Sequence, residues 1–196
     1  MQDCVPGIFF IRFKKLTMKK IIILSLLLSA TVFNKAKAQI EVAKLIGKNT
    51  GDFRIGFGAF LKLSKPVSYA ADITIEGGVL IFPDKEYPEF ATLFIPVKLG
   101  YRYTIDGSGT GFYAEPQVGF NVYGINLYYD DSLTDYVQQK IKGLIWSGGI
   151  GYLFNRSRKT QFDLSVRYES VHYKGGNKSY IGLRLSNNFS FGRRDA

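Results

Sequence analysis

The sequence predicts an all-β fold, an eight-stranded antiparallel up-and-down barrel that crosses a membrane with its strands. Three observations lead there. From Gln39 onward no window holds a helical period, while period-2 alternation recurs, the pattern of strands with two unlike faces. The alternating segments are mostly 12 to 15 residues long, well above the soluble-protein mode of about 5–6. Their connections alternate between short and long, the asymmetry of bacterial outer-membrane barrels.

The start of the 196-residue chain reads as an export signal. Met18-Lys19-Lys20 opens a basic segment, Ile21 to Ala30 is almost unbrokenly apolar, and Ala36-Lys37-Ala38 sets small residues at the −3 and −1 positions of a signal-peptidase site. The apolar run is about half of the roughly 20 residues that a spanning helix needs. The predicted organisation is an N-terminal extension at 1–17, a start called upstream of Met18; a signal peptide at 18–38; and a barrel domain at 39–196, beginning with Gln39. The single cysteine, Cys4, lies upstream of the signal, so the mature chain has no disulfide, acyl-cysteine anchor or cysteine-based metal site.

Formal charge is +10, but residues 1–39 hold seven of the 26 Lys and Arg and one of the 16 acids. The remainder carries 19 bases and 15 acids, about +4. These charges are scattered singly, without the basic stripe of a nucleic-acid binder, and export argues the same way, so no nucleic-acid partner is expected.

Strands are expected at roughly 52–64, 68–80, 90–105, 110–124, 141–154, 161–172 and 179–191. With both termini on one side the strand number must be even, so 40–47 is taken as the eighth despite its weak pattern. The stretch 91–105 is the clearest. Ala91, Leu93, Ile95, Val97, Leu99, Tyr101, Tyr103 and Ile105 share one face, and Thr92, Phe94, Pro96, Lys98, Gly100, Arg102 and Thr104 the other. Short turns fall at Lys65-Pro66, at 106–109 and at 155–160. Longer loops, rich in Asp, Lys, Gly and Tyr, fall at 81–89, 125–140 and 173–178 and are expected on the cell exterior.

The apolar face is read as lipid-facing. Its aliphatic band includes Ile73, Ile75, Leu93, Ile95, Val97, Val118, Leu164, Val166, Ile181 and Leu183. Tyr101, Tyr103, Phe112, Tyr152, Phe154, Phe162, Phe189 and Phe191 form a membrane-interface belt near the short turns; Phe82, Tyr87, Tyr128, Tyr129, Tyr168 and Tyr173 form the loop-side belt. In 141–154, Ile141, Ile145 and Leu153 fall on the inner face and leave the parity there open; Asn187 interrupts the outer face.

The inner face carries Arg54, Lys62, Lys98, Arg102, Arg167 and Arg184 against Asp72, Glu76, Glu115, Asp163 and Glu169. An eight-stranded barrel has room only for its own side chains, and buried charges persist only when paired. The expected interior is an ion-paired network of Arg54, Glu76, Lys98, Arg102, Glu115, Arg167, Glu169 and Arg184. Pairing counted across the turns sets Glu76 near Arg54, and Glu115 between Lys98 and Arg102. Arg167 and Arg184 fall roughly opposite each other, with Glu169 diagonal to them. Gly78, Gly149 and Gly182 are among the glycines that leave room for long side chains.

The sequence offers no P-loop, dinucleotide fingerprint or metal-ligand cluster, so no cofactor or metal is expected. An enzymatic alternative would use His172 with Ser170 on the same outward face and Glu169 beside it, for hydrolysis of an acyl chain. Glu169 points to the other face, and no catalytic residue is assigned.

The stretches Phe94-Ile95-Pro96-Val97-Lys98-Leu99-Gly100-Tyr101 and Gly111-Phe112-Tyr113-Ala114-Glu115-Pro116-Gln117-Val118-Gly119-Phe120 resemble the small outer-membrane β-barrel domain family, often labelled "porin family", with OmpA-like and PorT-like members. Gly149-Ile150-Gly151-Tyr152, Phe162 to Tyr168 and the terminal Phe189 and Phe191 fit its later strands. The resemblance covers about 51–191 and implies an eight-stranded barrel in a Gram-negative outer membrane, without catalytic residues. The tail Gly192 to Ala196 departs from members that end on the aromatic residue.

The expected function is non-catalytic: a plugged barrel with a structural or loop-mediated binding role. Its expected partners are outer-membrane lipid, the barrel-assembly machinery during insertion, and envelope proteins. An accessory subunit of a secretion or uptake assembly (PorT-like) is the alternative, and a small-solute pore a further one.

Overall fold

The computed structural model describes residues 35–47, 53–85, 91–107, 110–130, 135–157 and 160–189. The chain divides into residues 1–34, which hold most of the predicted signal and lie outside the described residues, and a unit from Lys35 onward.

That second unit is built from nine antiparallel strands: β1 (Lys35–Ile46), β2 (Gly56–Pro66), β3 (Ala71–Pro83), β4 (Ala91–Thr104), β5 (Gly111–Asp130), β6 (Asp135–Lys140), β7 (Gly143–Ser157), β8 (Thr160–Tyr173) and β9 (Gly176–Phe189). The order β4-β3-β2-β1-β9-β8-β7-β5 closes through β4–β5 pairing. Eight strands therefore form the wall, as the sequence predicts. β6 is not a stave: it folds back on the upper part of β5, from Ile125↔Lys140 to Asp130↔Asp135. Closure leaves the eight-stranded wall without an edge strand, the condition a sheet must meet in lipid.

Period-2 alternation becomes in-and-out alternation. In β4, Thr92, Phe94, Pro96, Lys98, Gly100, Arg102 and Thr104 are buried, while Val97, Leu99, Tyr101 and Tyr103 are exposed. The outer wall exposes Phe57, Leu61, Val118, Phe120, Ile150, Leu164, Val166, Ile181 and Leu183 among others. Over 141–154 the parity is fixed: Ile141, just before β7, and Ile145 and Leu153 within it are buried inside, while Leu144, Trp146, Ile150 and Tyr152 face out.

Several boundaries differ from the sequence reading. The segment 125–140 is largely a hairpin rather than a loop: β5 runs on to Asp130 and pairs with β6, where Tyr128, Tyr129, Tyr136 and Val137 are residue types that favour strands. The segment 173–178 is a two-residue turn between Tyr173↔Gly176, permitted by Gly176 at φ 134°. Within 81–89, β3 continues to Pro83 and Phe53 bridges Asp84. Phe82, assigned to the loop-side belt, points inward and is fully buried. A connection not singled out as long runs between Ile46 and Gly56. Tyr87 and Phe191, and the side chains of Tyr128, Tyr129 and Phe189, lie outside the described residues.

Two prolines mark irregular rungs. The β4–β5 register shifts between Ile95 and Pro96, and pairing skips from Gly100↔Gln117 to Tyr103↔Ala114, where Pro116 has no N–H to donate.

β1 begins at Lys35, four residues before the expected cleavage point. Removal of residues up to Ala38 would leave Gln39–Ile46. That remnant keeps Gln39↔Phe60 to Ala43↔Gly56 with β2 and Gln39↔Ser186 to Ile46↔Ser179 with β9.

Candidate functional site: the barrel interior

Inward positions of the wall strands converge on a filled lumen with two layers. The layer toward the short turns, where β1 begins and β9 finishes, is charged. Among the described residues its bases are Lys37, Lys62, Lys98, Arg102, Arg167 and Arg184, and its acids Glu41, Glu76, Glu115, Asp163 and Glu169, all buried.

These eleven groups form one continuous network. Asp163 holds Arg102 at 2.7 Å and Lys37 at 3.8 Å. Arg102 continues to Glu115 at 3.2 Å. Glu115 also takes Lys62 at 2.7 Å and Arg167 at 2.6 Å. Lys62 reaches Glu76 at 3.6 Å, and Glu76 takes Lys98 at 3.0 Å and Arg184 at 2.7 Å. Lys98 and Arg184 both reach Glu169, at 2.6 and 3.3 Å, and Arg184 ends the network on Glu41. Neutral groups satisfy further valences. The Thr74 hydroxyl donates to Glu115 at 2.8 Å, the Tyr180 hydroxyl to Glu169 at 2.7 Å, and the Tyr113 hydroxyl to Asp163. Gln117 accepts from Arg167 at 2.7 Å. Every acid but Glu41 meets at least two cations, which is how such desolvation is tolerated.

The second layer, toward the loops, is apolar: Ala43, Leu45, Phe53, Phe60, Leu80, Phe82, Phe94, Ile141, Ile145, Val171 and Tyr180. Phe82 and Phe94 meet edge to face at 5.9 Å, and Tyr180 lies 5.6 and 5.8 Å from them. Phe60 joins the layers, with the Arg184 guanidinium 4.3 Å and Lys98 Nζ 5.5 Å from its ring. Glycines make the room. A Cβ on Gly78 would overlap the Phe60 ring, and one on Gly182 would occupy the place of the Glu41 carboxylate.

Of the eight charges expected in the interior, Glu76, Lys98, Arg102, Glu115, Arg167, Glu169 and Arg184 lie there. Arg54 does not. It precedes β2, is exposed, and donates to the Lys85 carbonyl at 2.9 Å. Glu76 accordingly pairs with Lys62, Lys98 and Arg184. Glu115 meets Arg102 but not Lys98, which turns to Glu76 and Glu169. Arg167 sits opposite Gly182 and Arg184 opposite Ser165, so the two arginines are diagonal rather than facing. Lys37 and Glu41 were missed. Their strand alternates (Lys37, Gln39, Glu41, Ala43 and Leu45 inward; Ile40, Val42 and Lys44 outward), but its first four residues fall under the signal pattern.

Tyr101, Tyr103, Phe112, Tyr152, Phe154 and Phe162 are exposed on the outer wall near the short turns. Phe112 and Tyr152 pair at 4.8 Å, and Tyr152 and Phe154 at 4.6 Å. The structure does not assemble His172, Ser170 and Glu169. Glu169 is inside, Ser170 is buried beside Ser179, and His172 accepts a hydrogen bond from Trp146. No cluster of metal-ligating side chains occurs among the described residues.

No family model matches the chain, and no curated protein matches it in sequence. Solved structures do match. Ail, the attachment invasion locus protein of Yersinia pestis, is 11% identical at a TM-score of 0.56, over 79% of this chain and 97% of that one. The N-terminal β-barrel domain of Pseudomonas aeruginosa OprF is 11% identical at 0.55, over 80% and 98%. Neisserial surface protein A is 12% identical at 0.54, over 80% and 96%. The likeness suggested by the β4 and β5 residues thus holds at the level of fold: this chain is a closed eight-stranded antiparallel barrel like these small outer-membrane barrels.

Proposed function

We propose that the chain is an integral outer-membrane barrel, exported through a cleaved signal ending at Ala38. It works without catalysis, as a structural element of the envelope or through its loops. The observation that carries this reading is the filled lumen. A continuous charge network and an apolar layer above it occupy the space a solute would need, and the outer wall is apolar and aromatic over its length. A surface of that kind belongs in lipid. Short turns at 67–70 and 105–110 sit at the end where β1 begins and β9 finishes, read as periplasmic. The β5–β6 hairpin rises at the other end. Past Thr92↔Asn126 the β5 strand has only β6 as a partner, and this two-stranded ribbon beyond the wall supports recognition of an envelope protein.

The test is single-channel recording of refolded protein in a planar bilayer. Membrane insertion with a baseline free of steady openings is expected. Large, long-lived openings in the wild type would overturn the plugged reading in favour of a solute pore. Co-purification from solubilised outer membranes separates the readings that remain: a stoichiometric secretion or uptake complex would identify an accessory subunit.

A further inference from the structure

Near the loop-side rim, across β7, β8 and β9, the lipid-facing wall carries a hydrogen-bonded cluster of aromatic and polar side chains. Trp146 is 44% exposed there, and its indole N–H donates to His172 Nε2 at 3.1 Å. The Trp146 and Tyr168 rings lie 5.2 Å apart. Beneath them the Tyr168 hydroxyl donates to Ser179 Oγ at 3.1 Å, and Ser179 to Ser170 Oγ at 3.0 Å. Asn177 stands exposed opposite His172. The wall here is hydrogen-bonded into a fixed polar surface.

Two lysines crown it. Lys142 and Lys174 are both exposed, each one residue beyond the last β7–β8 pair, Gly143↔Tyr173. Lys142 Nζ lies 6.0 Å from the Tyr123 ring, and neither lysine has an acidic partner among the described residues. Like charges at neighbouring strand ends repel, and an anion between them would offset that cost. Because Nε2 of His172 accepts from Trp146, the neutral ring carries its proton on Nδ1, a further donor. Trp and Tyr settle at headgroup depth, which puts these cations level with lipid phosphates.

We propose that Lys142, Lys174 and His172, framed by Trp146 and Tyr168, bind the phosphate-bearing headgroup of an anionic lipid in the leaflet at the loop-side rim. The inference rests on the reading of the chain as membrane-embedded. Its chemistry asks for a phosphate with net negative charge, two ammonium groups to meet it, and an aromatic frame to fix its depth.

The experiment is native mass spectrometry of the refolded barrel in detergent, titrated with dimyristoyl phosphatidic acid or with phosphatidylcholine. Refolding is scored first by gel mobility; failure there sinks the membrane reading and not this one. One phosphatidic acid is expected to bind about tenfold or more tighter than phosphatidylcholine, about what two interfacial lysines supply. Lys142→Gln with Lys174→Gln should abolish the preference while leaving gel mobility unchanged. Lys65→Gln, an exposed lysine at the other end, should keep it. Equal binding of the two lipids would overturn the proposal, as would equal loss in Lys65→Gln. Displacement by glycerol 3-phosphate at similar concentration would also overturn it, because that would mark a free-anion site rather than a lipid site.

Discussion

Glu115→Gln removes one negative charge from the middle of the network without opening a cavity. Its three cations are not equally dependent on it. Lys62 keeps Glu76 at 3.6 Å and Arg102 keeps Asp163 at 2.7 Å. Arg167 is left with the neutral Gln117 oxygen at 2.7 Å, and its Nε already finds no hydrogen-bond partner among the described residues. The variant therefore leaves one fully buried guanidinium uncompensated, a loss of about 3–5 kcal/mol. Arg167→Met is the informative contrast. It leaves Glu115 with Lys62 at 2.7 Å, Arg102 at 3.2 Å and the Thr74 hydroxyl at 2.8 Å, so it should cost only about 1–2 kcal/mol. The double variant should be more stable than Glu115→Gln alone. The assay is urea unfolding of barrels refolded in phospholipid vesicles, followed by Trp146 emission and extrapolated linearly. A loss below about 1 kcal/mol for Glu115→Gln, or an equal loss for Arg167→Met, would refute the claim that one acid neutralises Arg167.

Phe94→Ala should destabilise the barrel by about 3–5 kcal/mol yet open no channel in bilayer recordings, because the charged layer below Phe82 and Tyr180 stays filled. Trp146, the one tryptophan of the chain, should be quenched strongly by brominated lipid and weakly by aqueous iodide; the reverse order would mean that its wall faces water. Edman sequencing of the mature protein should begin at Gln39, and Lys37→Ala should then leave the unfolding midpoint unchanged, whereas a mature chain that retains Lys37 would lose its contact with Asp163. An epitope inserted near Asp131 should be reached by antibody on intact cells; labelling only after lysis would invert the orientation.

The wall was legible because its outer face and its lumen impose opposite demands on alternate residues, so each strand records its orientation in its own composition. Lys98 and Arg102 between Val97, Leu99, Tyr101 and Tyr103 can be read only one way. Pairings were legible only in part, for a geometric reason. Counting across turns finds neighbours along the wall, such as Arg102 and Glu115 on β4 and β5. In a narrow barrel the strongest partners also face each other across the lumen. Lys62 on β2 and Arg167 on β8 both reach Glu115 on β5, and Lys98 on β4 reaches Glu169 on β8. No spacing in the sequence encodes those contacts. Phe82 was misplaced because an inward aromatic at a rim has the same composition as a belt aromatic. The expected strand stopped at 80; followed to Pro83, its parity carries Phe82 inward with Thr74, Glu76 and Leu80.

The charge balance of the lumen bears on where the mature chain begins. With Lys37 present, the buried bases outnumber the acids by one, and Lys37 is the most loosely held of them, with its single ion pair at 3.8 Å. Without it, Lys62, Lys98, Arg102, Arg167 and Arg184 face Glu41, Glu76, Glu115, Asp163 and Glu169, five against five. Each remaining base still has a carboxylate within 2.7 Å. A low-dielectric interior penalises net charge more than it penalises paired charge. The same cut leaves β1 with its inward Gln39, Glu41, Ala43 and Leu45 and with partners on both sides, so the barrel stays closed. Cleavage after Ala38 would therefore remove the most loosely held buried cation without stranding an acid, since Asp163 keeps Arg102 at 2.7 Å and the hydrogen bond from Tyr113.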